Sequence, residues 1–123
     1  MKKLNLVLLL FVLLSGCNKS PEMHHVTYEA SEAVSTLHIS YKNPDGDLIS
    51  VNPIFNSSED LWAVEGIFPE GEIVYISATY DEEGGTQRIR ILLDGKTLKQ
   101  AESRYQPGEE GRVTLAGVVP WSK

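Results

Sequence analysis

The chain has 123 residues, with 11 basic and 17 acidic side chains, one cysteine and a formal net charge of −6. That length predicts one domain, and the acidic balance argues against nonspecific nucleic-acid binding, which runs on phosphate neutralisation by Lys and Arg. A single cysteine excludes an internal disulfide and any multi-cysteine metal site, and a single long apolar run excludes a polytopic membrane protein.

That run lies at the amino end. Met1-Lys2-Lys3 is a positive segment, residues 6–14 are unbroken apolar sequence, and Leu14-Ser15-Gly16-Cys17 follows. The order positive, apolar, small is that of a cleaved secretory signal. The apolar stretch is about half the ~20 residues a spanning helix needs, so a retained transmembrane anchor is not expected. Removing residues 1–16 leaves 107 residues with nine basic and 17 acidic side chains, a net charge of −8. A domain of that size buries somewhat over ~60% of its unfolded surface and can fold without staples.

Leu14-Ser15-Gly16-Cys17 resembles the lipobox of bacterial lipoproteins, and the only cysteine of the chain stands at the modified position. The resemblance implies diacylglycerol on the Cys17 thiol, cleavage before Cys17 and acylation of the new amine. Several acyl chains anchor stably where one does not, since each buried CH₂ adds ~0.8 kcal/mol. The alternative is an ordinary signal peptide with a chance cysteine near its cleavage point. Residues 17–23, polar and short, form the expected tether. Asn18 replaces the Asp that retains enterobacterial lipoproteins at the inner membrane, which by the same resemblance favours the outer membrane.

From residue 24 onward no segment sustains a helical period, and several alternate with a period of two. Val26, Tyr28 and Ala30 alternate with Thr27 and Glu29, and Leu37, Ile39 and Tyr41 with His38 and Ser40. Ile49 and Val51 flank Ser50. Val74, Ile76, Ala78 and Tyr80 alternate with Tyr75, Ser77 and Thr79, and Ile89, Ile91 and Leu93 with Arg88, Arg90 and Leu92. Val113 and Leu115 flank Thr114. One apolar face per run suits strands with one side on a core and one in water.

Turn chemistry separates the runs. Asn43-Pro44-Asp45-Gly46 pairs a fixed φ with a residue tolerant of positive φ. Residues 81–85 and 107–111 are charged, glycine-bearing loops, and Asp94-Gly95 predicts a two-residue type I′ hairpin between Leu93 and Lys96. The expected strands are 24–31, 35–42, 47–53, 60–65, 72–80, 87–93 and 96–103, with 112–118 as an eighth, or as the seventh if 60–65 is irregular. Short strands at near-regular spacing predict a sandwich or barrel. The reading is an all-β, immunoglobulin-like β-sandwich of about seven strands over residues 24–119, after a cleaved signal helix and before a tail at 120–123.

The order of these pieces carries a second resemblance. Val26-Thr27-Tyr28-Glu29, Leu37-His38-Ile39-Ser40-Tyr41, Pro44-Asp45-Gly46, Trp62, Val74-Tyr75-Ile76-Ser77-Ala78 and Ile89 through Lys96 together resemble the MmpS family of transport accessory proteins and its Bacteroidota lipoprotein relatives. The resemblance covers about residues 25–118. It implies an immunoglobulin-like sandwich on a membrane anchor, working beside an exporter. The chain departs from the mycobacterial members in three ways. It carries a lipobox instead of a transmembrane helix, it has no cysteine after Cys17, and it has Asp60-Leu61-Trp62 where they have Leu-Pro-Trp.

Catalysis needs a nucleophile, a base and an orienting group, and no such motif surrounds any serine or His24, His25 or His38, so no enzyme is expected. His24 and His25, adjacent on a strand, point to opposite faces. No His/Cys pair has zinc-ligand spacing. The run Asn43-Pro44-Asp45-Gly46-Asp47 begins like a calcium loop, but Leu48 stands where that loop needs Gly and Ile54 where it needs Glu. Neither a metal nor a cofactor is expected. The binding candidates are Trp62, Tyr75 on the parity opposite to Val74 and Ile76, and a basic face of Arg88 and Arg90 with Lys96 or Lys99 across the hairpin. Trp62 has a competing role as core filler. The expected function is a lipid-anchored, non-catalytic envelope module that binds or assists a transporter or other envelope protein, as a monomeric domain. The alternatives are a small-molecule or glycan binder and a purely structural envelope protein.

Overall fold

A computed structural model describes residues 20–80, 85–105 and 111–121. The expected leader, Cys17 and most of the two glycine-bearing loops lie outside these residues. Within them the chain is all-β, with strands β1 (Met23–Ser31), β2 (Leu37–Lys42), β3 (Leu48–Val51), β4 (Leu61–Pro69), β5 (Ile73–Tyr80), β6 (Gly85–Leu93), β7 (Lys96–Tyr105) and β8 (Arg112–Val118). They form two four-stranded antiparallel sheets, β4-β1-β6-β7 and β3-β2-β5-β8, which make a β-sandwich. The segment expected as 60–65 is a regular strand of nine residues, so 112–118 is the eighth strand. Only the β2–β3 and β6–β7 connections stay within a sheet. Each of the other links crosses to the opposite sheet, so neither sheet can be completed without the other.

The alternation explains the core. Val26, Tyr28 and Ala30 of β1, Leu37 and Ile39 of β2, Val74, Ile76 and Ala78 of β5, and Ile89 and Ile91 of β6 are buried between the sheets. Each buried Val, Leu or Ile among them contributes roughly 1.5–3 kcal/mol relative to exposure. Two polar side chains span the gap. The Tyr28 hydroxyl donates to the Lys42 carbonyl at 2.8 Å and accepts from the Tyr75 amide at 3.2 Å, tying β1 to β2 and β5. Burial pushes the Tyr28 hydroxyl pKa above its ordinary value, and the Tyr75 hydrogen bond opposes that shift. Gln87, on the inward parity of β6, donates to the Ala78 carbonyl at 3.3 Å.

The punctuation behaves as its chemistry requires. Leu93 pairs with Lys96, and Asp94 and Gly95 both have positive φ, 49° and 83°, as a type I′ turn needs. One step further the register slips between Ile91 and Leu92, which leaves Leu98 as the extra residue of a β-bulge. In the β2–β3 loop the Gly46 amide donates to the Asn43 carbonyl at 3.0 Å, and the Asn43 side chain accepts from the Asp47 amide at 2.9 Å. The segment that begins like a calcium loop is therefore a closed hairpin turn.

Candidate functional site at the β1 end

The amino end of β1, the β4–β5 turn and the β6–β7 turn meet at one end of the sandwich. The ladder of β1 and β4 extends past the strands, with the Glu70 amide donating to the Glu22 carbonyl at 2.9 Å. His24 pairs with Phe68 in register and shares the inward parity of Val26 and Tyr28. It lies where the core gives out, so its ring is mostly covered, with 14% of the side chain exposed. His25, one residue on, is exposed, as strand alternation dictates.

Asp94 is fixed over this histidine pair. Its amide donates to the His25 carbonyl at 2.8 Å, and its Oδ1 accepts from the His25 amide at 2.9 Å. Its Oδ2 lies 2.7 Å from His24 Nδ1. The hydrogen bond to Asp94 raises the His24 pKa above its ordinary value, with partial desolvation opposing it. The same bond, followed by that from the His25 amide, lowers the Asp94 pKa. His24 Nε2 is shielded from solvent and has no hydrogen-bond partner among the described residues. One ligand atom from each of Glu22, His24 and Glu70 lies within 4.8 Å of the others. The sequence expectation of no ligand set rested on local spacing, and this cluster needs Glu70, from the far end of β4, beside the neighbouring Glu22 and His24.

The sequence candidates lie elsewhere. Trp62, opposite Ala30 on β1, is half-buried against the core, with its ring 5.7 Å from that of Tyr41. Tyr75 is half-buried on the outer face of β5. Arg88 and Arg90 do share the outer face of β6, but they do not form a basic stripe. Arg90 stands opposite Glu29 and bonds its carboxylate at 2.5 Å. Arg88 stands opposite Glu102, donates to it from Nε at 2.7 Å, and reaches Glu32 at 3.3 Å. The residue across from Arg90 on β7 is Gln100, not a lysine. Glu102 raises the Arg88 pKa further, so the guanidinium stays charged.

Among the clefts on the surface, two bear on function. One of about 410 Å³ is lined by Glu32, Glu59, Thr86, Glu102 and Arg104 and is polar. The other, about 170 Å³, is lined by Tyr28, Tyr41, Pro44, Val64 and Phe68 and is aromatic. At its wall Gly66 leaves room for Pro44, whose Cγ would lie 2.8 Å from an added Cβ. No family model matches the chain, and no curated protein does.

Proposed function

We propose that the protein is a lipid-anchored, non-catalytic module of the bacterial cell envelope that acts by contact, as an accessory to a transporter or another envelope component. The observation that carries this reading is the leader, with Leu14-Ser15-Gly16-Cys17 directly after residues 6–14. The fold adds support. Strand β1 starts at Met23, and the six residues from Cys17 to that point reach at most about 22 Å when extended. The end of the sandwich that holds the start of β1 then faces the bilayer. Met23, Ile73, Val118 and Trp121 are exposed at that end. Ile73 and Val118 are cross-strand partners, and the Trp121 ring lies over Gly71. Apolar side chains with an amphipathic tryptophan suit a lipid–water boundary. Tethering also raises local concentration, so a modest affinity for a neighbour suffices.

The partner surface that best fits this orientation is β4. It is a sheet edge, and its outer face exposes Leu61, Ala63 and Ile67 around a single charge, Glu65. Such an edge offers unpaired backbone groups to another chain. The polar cleft by Glu32 and Arg104 supports a second reading, a binder of small polar ligands, because its volume lies in the range of ligand sites. Crosslinking in native membranes separates the two. The first reading expects a specific protein adduct that Ile67→Glu removes from a folded chain. An adduct unaffected by Ile67→Glu and Leu61→Glu places the contact elsewhere. The anchor is tested by mass, since Cys17→Ser protein should lack acyl chains and leave the membrane fraction, apart from uncleaved precursor. The same lipid mass on Cys17→Ser protein would sink the anchoring.

A further inference from the structure

We infer that Glu22, His24 and Glu70 form a site for one divalent transition-metal cation of the zinc class, with Asp94 as the residue that positions His24. The inference does not depend on the anchoring or on the partner surface.

The two ring nitrogens of His24 are in different situations. Nδ1 is held by Asp94 at 2.7 Å, while Nε2 is shielded from water and unpartnered. A buried ring nitrogen without a partner among the described residues calls for an explanation, and a bound cation is one of the few. The arrangement of carboxylate, imidazole and vacant nitrogen is the one metal sites use, since a carboxylate on one ring nitrogen fixes the tautomer and makes the other a better donor. Asp94 is itself immobilised by the His25 amide and by the type I′ turn, so the ring is oriented from a rigid element.

The remaining donors are in reach. The ligand atoms of Glu22, His24 and Glu70 already lie within 4.8 Å of one another. Bonds of about 2.0–2.2 Å put neighbouring ligands of a tetrahedral cation roughly 3.5 Å apart. Glu22 is exposed and Glu70 half-buried, so side-chain rotation closes the set without moving the strands. The backbone bond from Glu70 to Glu22 keeps the two stems together. The donor chemistry is one imidazole and two carboxylates, with no thiolate. Imidazole selects zinc-like cations over magnesium and calcium, and three protein ligands leave a fourth position for water or for a group from a partner.

The test uses the full-length chain in detergent, stripped with chelator and then titrated with Zn²⁺. Co²⁺ serves as a spectroscopic probe. The expected result is one saturable equivalent and a Co²⁺ visible band typical of low coordination. His24→Gln should remove both, and Asp94→Asn should weaken binding about 10–100-fold at unchanged stoichiometry. His25→Gln and His38→Gln should leave both intact. If circular dichroism shows that His24→Gln unfolds the domain, the double variant Glu22→Gln/Glu70→Gln decides instead, and loss of the saturable equivalent supports the site. Absence of stoichiometric binding by the parent chain overturns the inference. So does affinity unchanged in a folded His24→Gln or Glu22→Gln/Glu70→Gln variant, or affinity lost on changing His25 or His38.

Discussion

At the scale of residues, the strongest constraints come from backbone angle and from charge pairing. Gly95 has φ 83°, and an added Cβ there meets nothing within 4 Å. The cost of Gly95→Val is therefore conformational rather than steric. It should destabilise the fold by about 1 kcal/mol or more, because a β-branched residue is poorly suited to positive φ. Gly95→Asn should cost less, and denaturant unfolding of the two variants measures the difference. Arg90 faces a different balance. Its partner Glu29 keeps only 14% of its side chain exposed, while Arg90 keeps 34%. Arg90→Ala strands a largely desolvated carboxylate and should cost about 1–3 kcal/mol, less than for a fully buried pair because water still reaches the site. Combining it with Glu29→Leu should restore most of that loss in the same unfolding assay. Trp62→Ala should cost about 2–3 kcal/mol through lost packing on Tyr41 and the core, which is less than a fully buried tryptophan would lose. A Trp62→Ala protein of parental stability that has lost its crosslinked partner would instead make Trp62 a contact residue.

At the scale of elements, close approaches set what each turn tolerates. The β4–β5 turn passes through Gly71 at φ 84°, and a Cβ there would lie 2.2 Å from the Trp121 ring. Gly71→Ala must displace that ring, so it should change tryptophan fluorescence as well as lower stability by roughly 1–3 kcal/mol. Parental fluorescence in a folded Gly71→Ala protein would show that Trp121 does not rest on the turn. The edge strand β4 differs from β1 because it pairs on one side only. Its free-side amides should exchange with solvent far faster than those of β1 or β5, which are hydrogen-bonded on both sides. Amide exchange read residue by residue along β4 checks this.

At the scale of the whole molecule, two sheets share one core, and five of the seven connections pass between them. Such interlocking makes the pairings non-local, so folding should be a single, comparatively slow transition with no stable half. Coincident unfolding curves from fluorescence and circular dichroism are the expected result. The same topology gathers the start of β1, the end of β8 and the turns after β4 and β6 at one end. That is why the exposed apolar side chains near the start of β1 and the Glu22–His24–Glu70 cluster are neighbours there.

What the sequence by itself determined is local and periodic. Alternation named the buried face of β1, β2, β5, β6 and β8 correctly, because strand geometry sends successive side chains to opposite sides whatever the sheet order. Asp94-Gly95 announced its turn because few residue pairs accept two positive φ values. Only the tertiary structure decided the pairings of distant residues. Arg88 and Arg90 read as a basic stripe until β1 and β7 set Glu29 and Glu102 opposite them. Trp62 was ambiguous between core and surface until β4 pairing turned its ring toward Tyr41. The candidate metal donors were invisible for the same cause. Glu22 and His24 are close in the chain, but Glu70 comes from the end of β4 and the positioning Asp94 lies 70 residues from His24, and no spacing rule spans such distances, because it is strand register, and not chain proximity, that brings their atoms together.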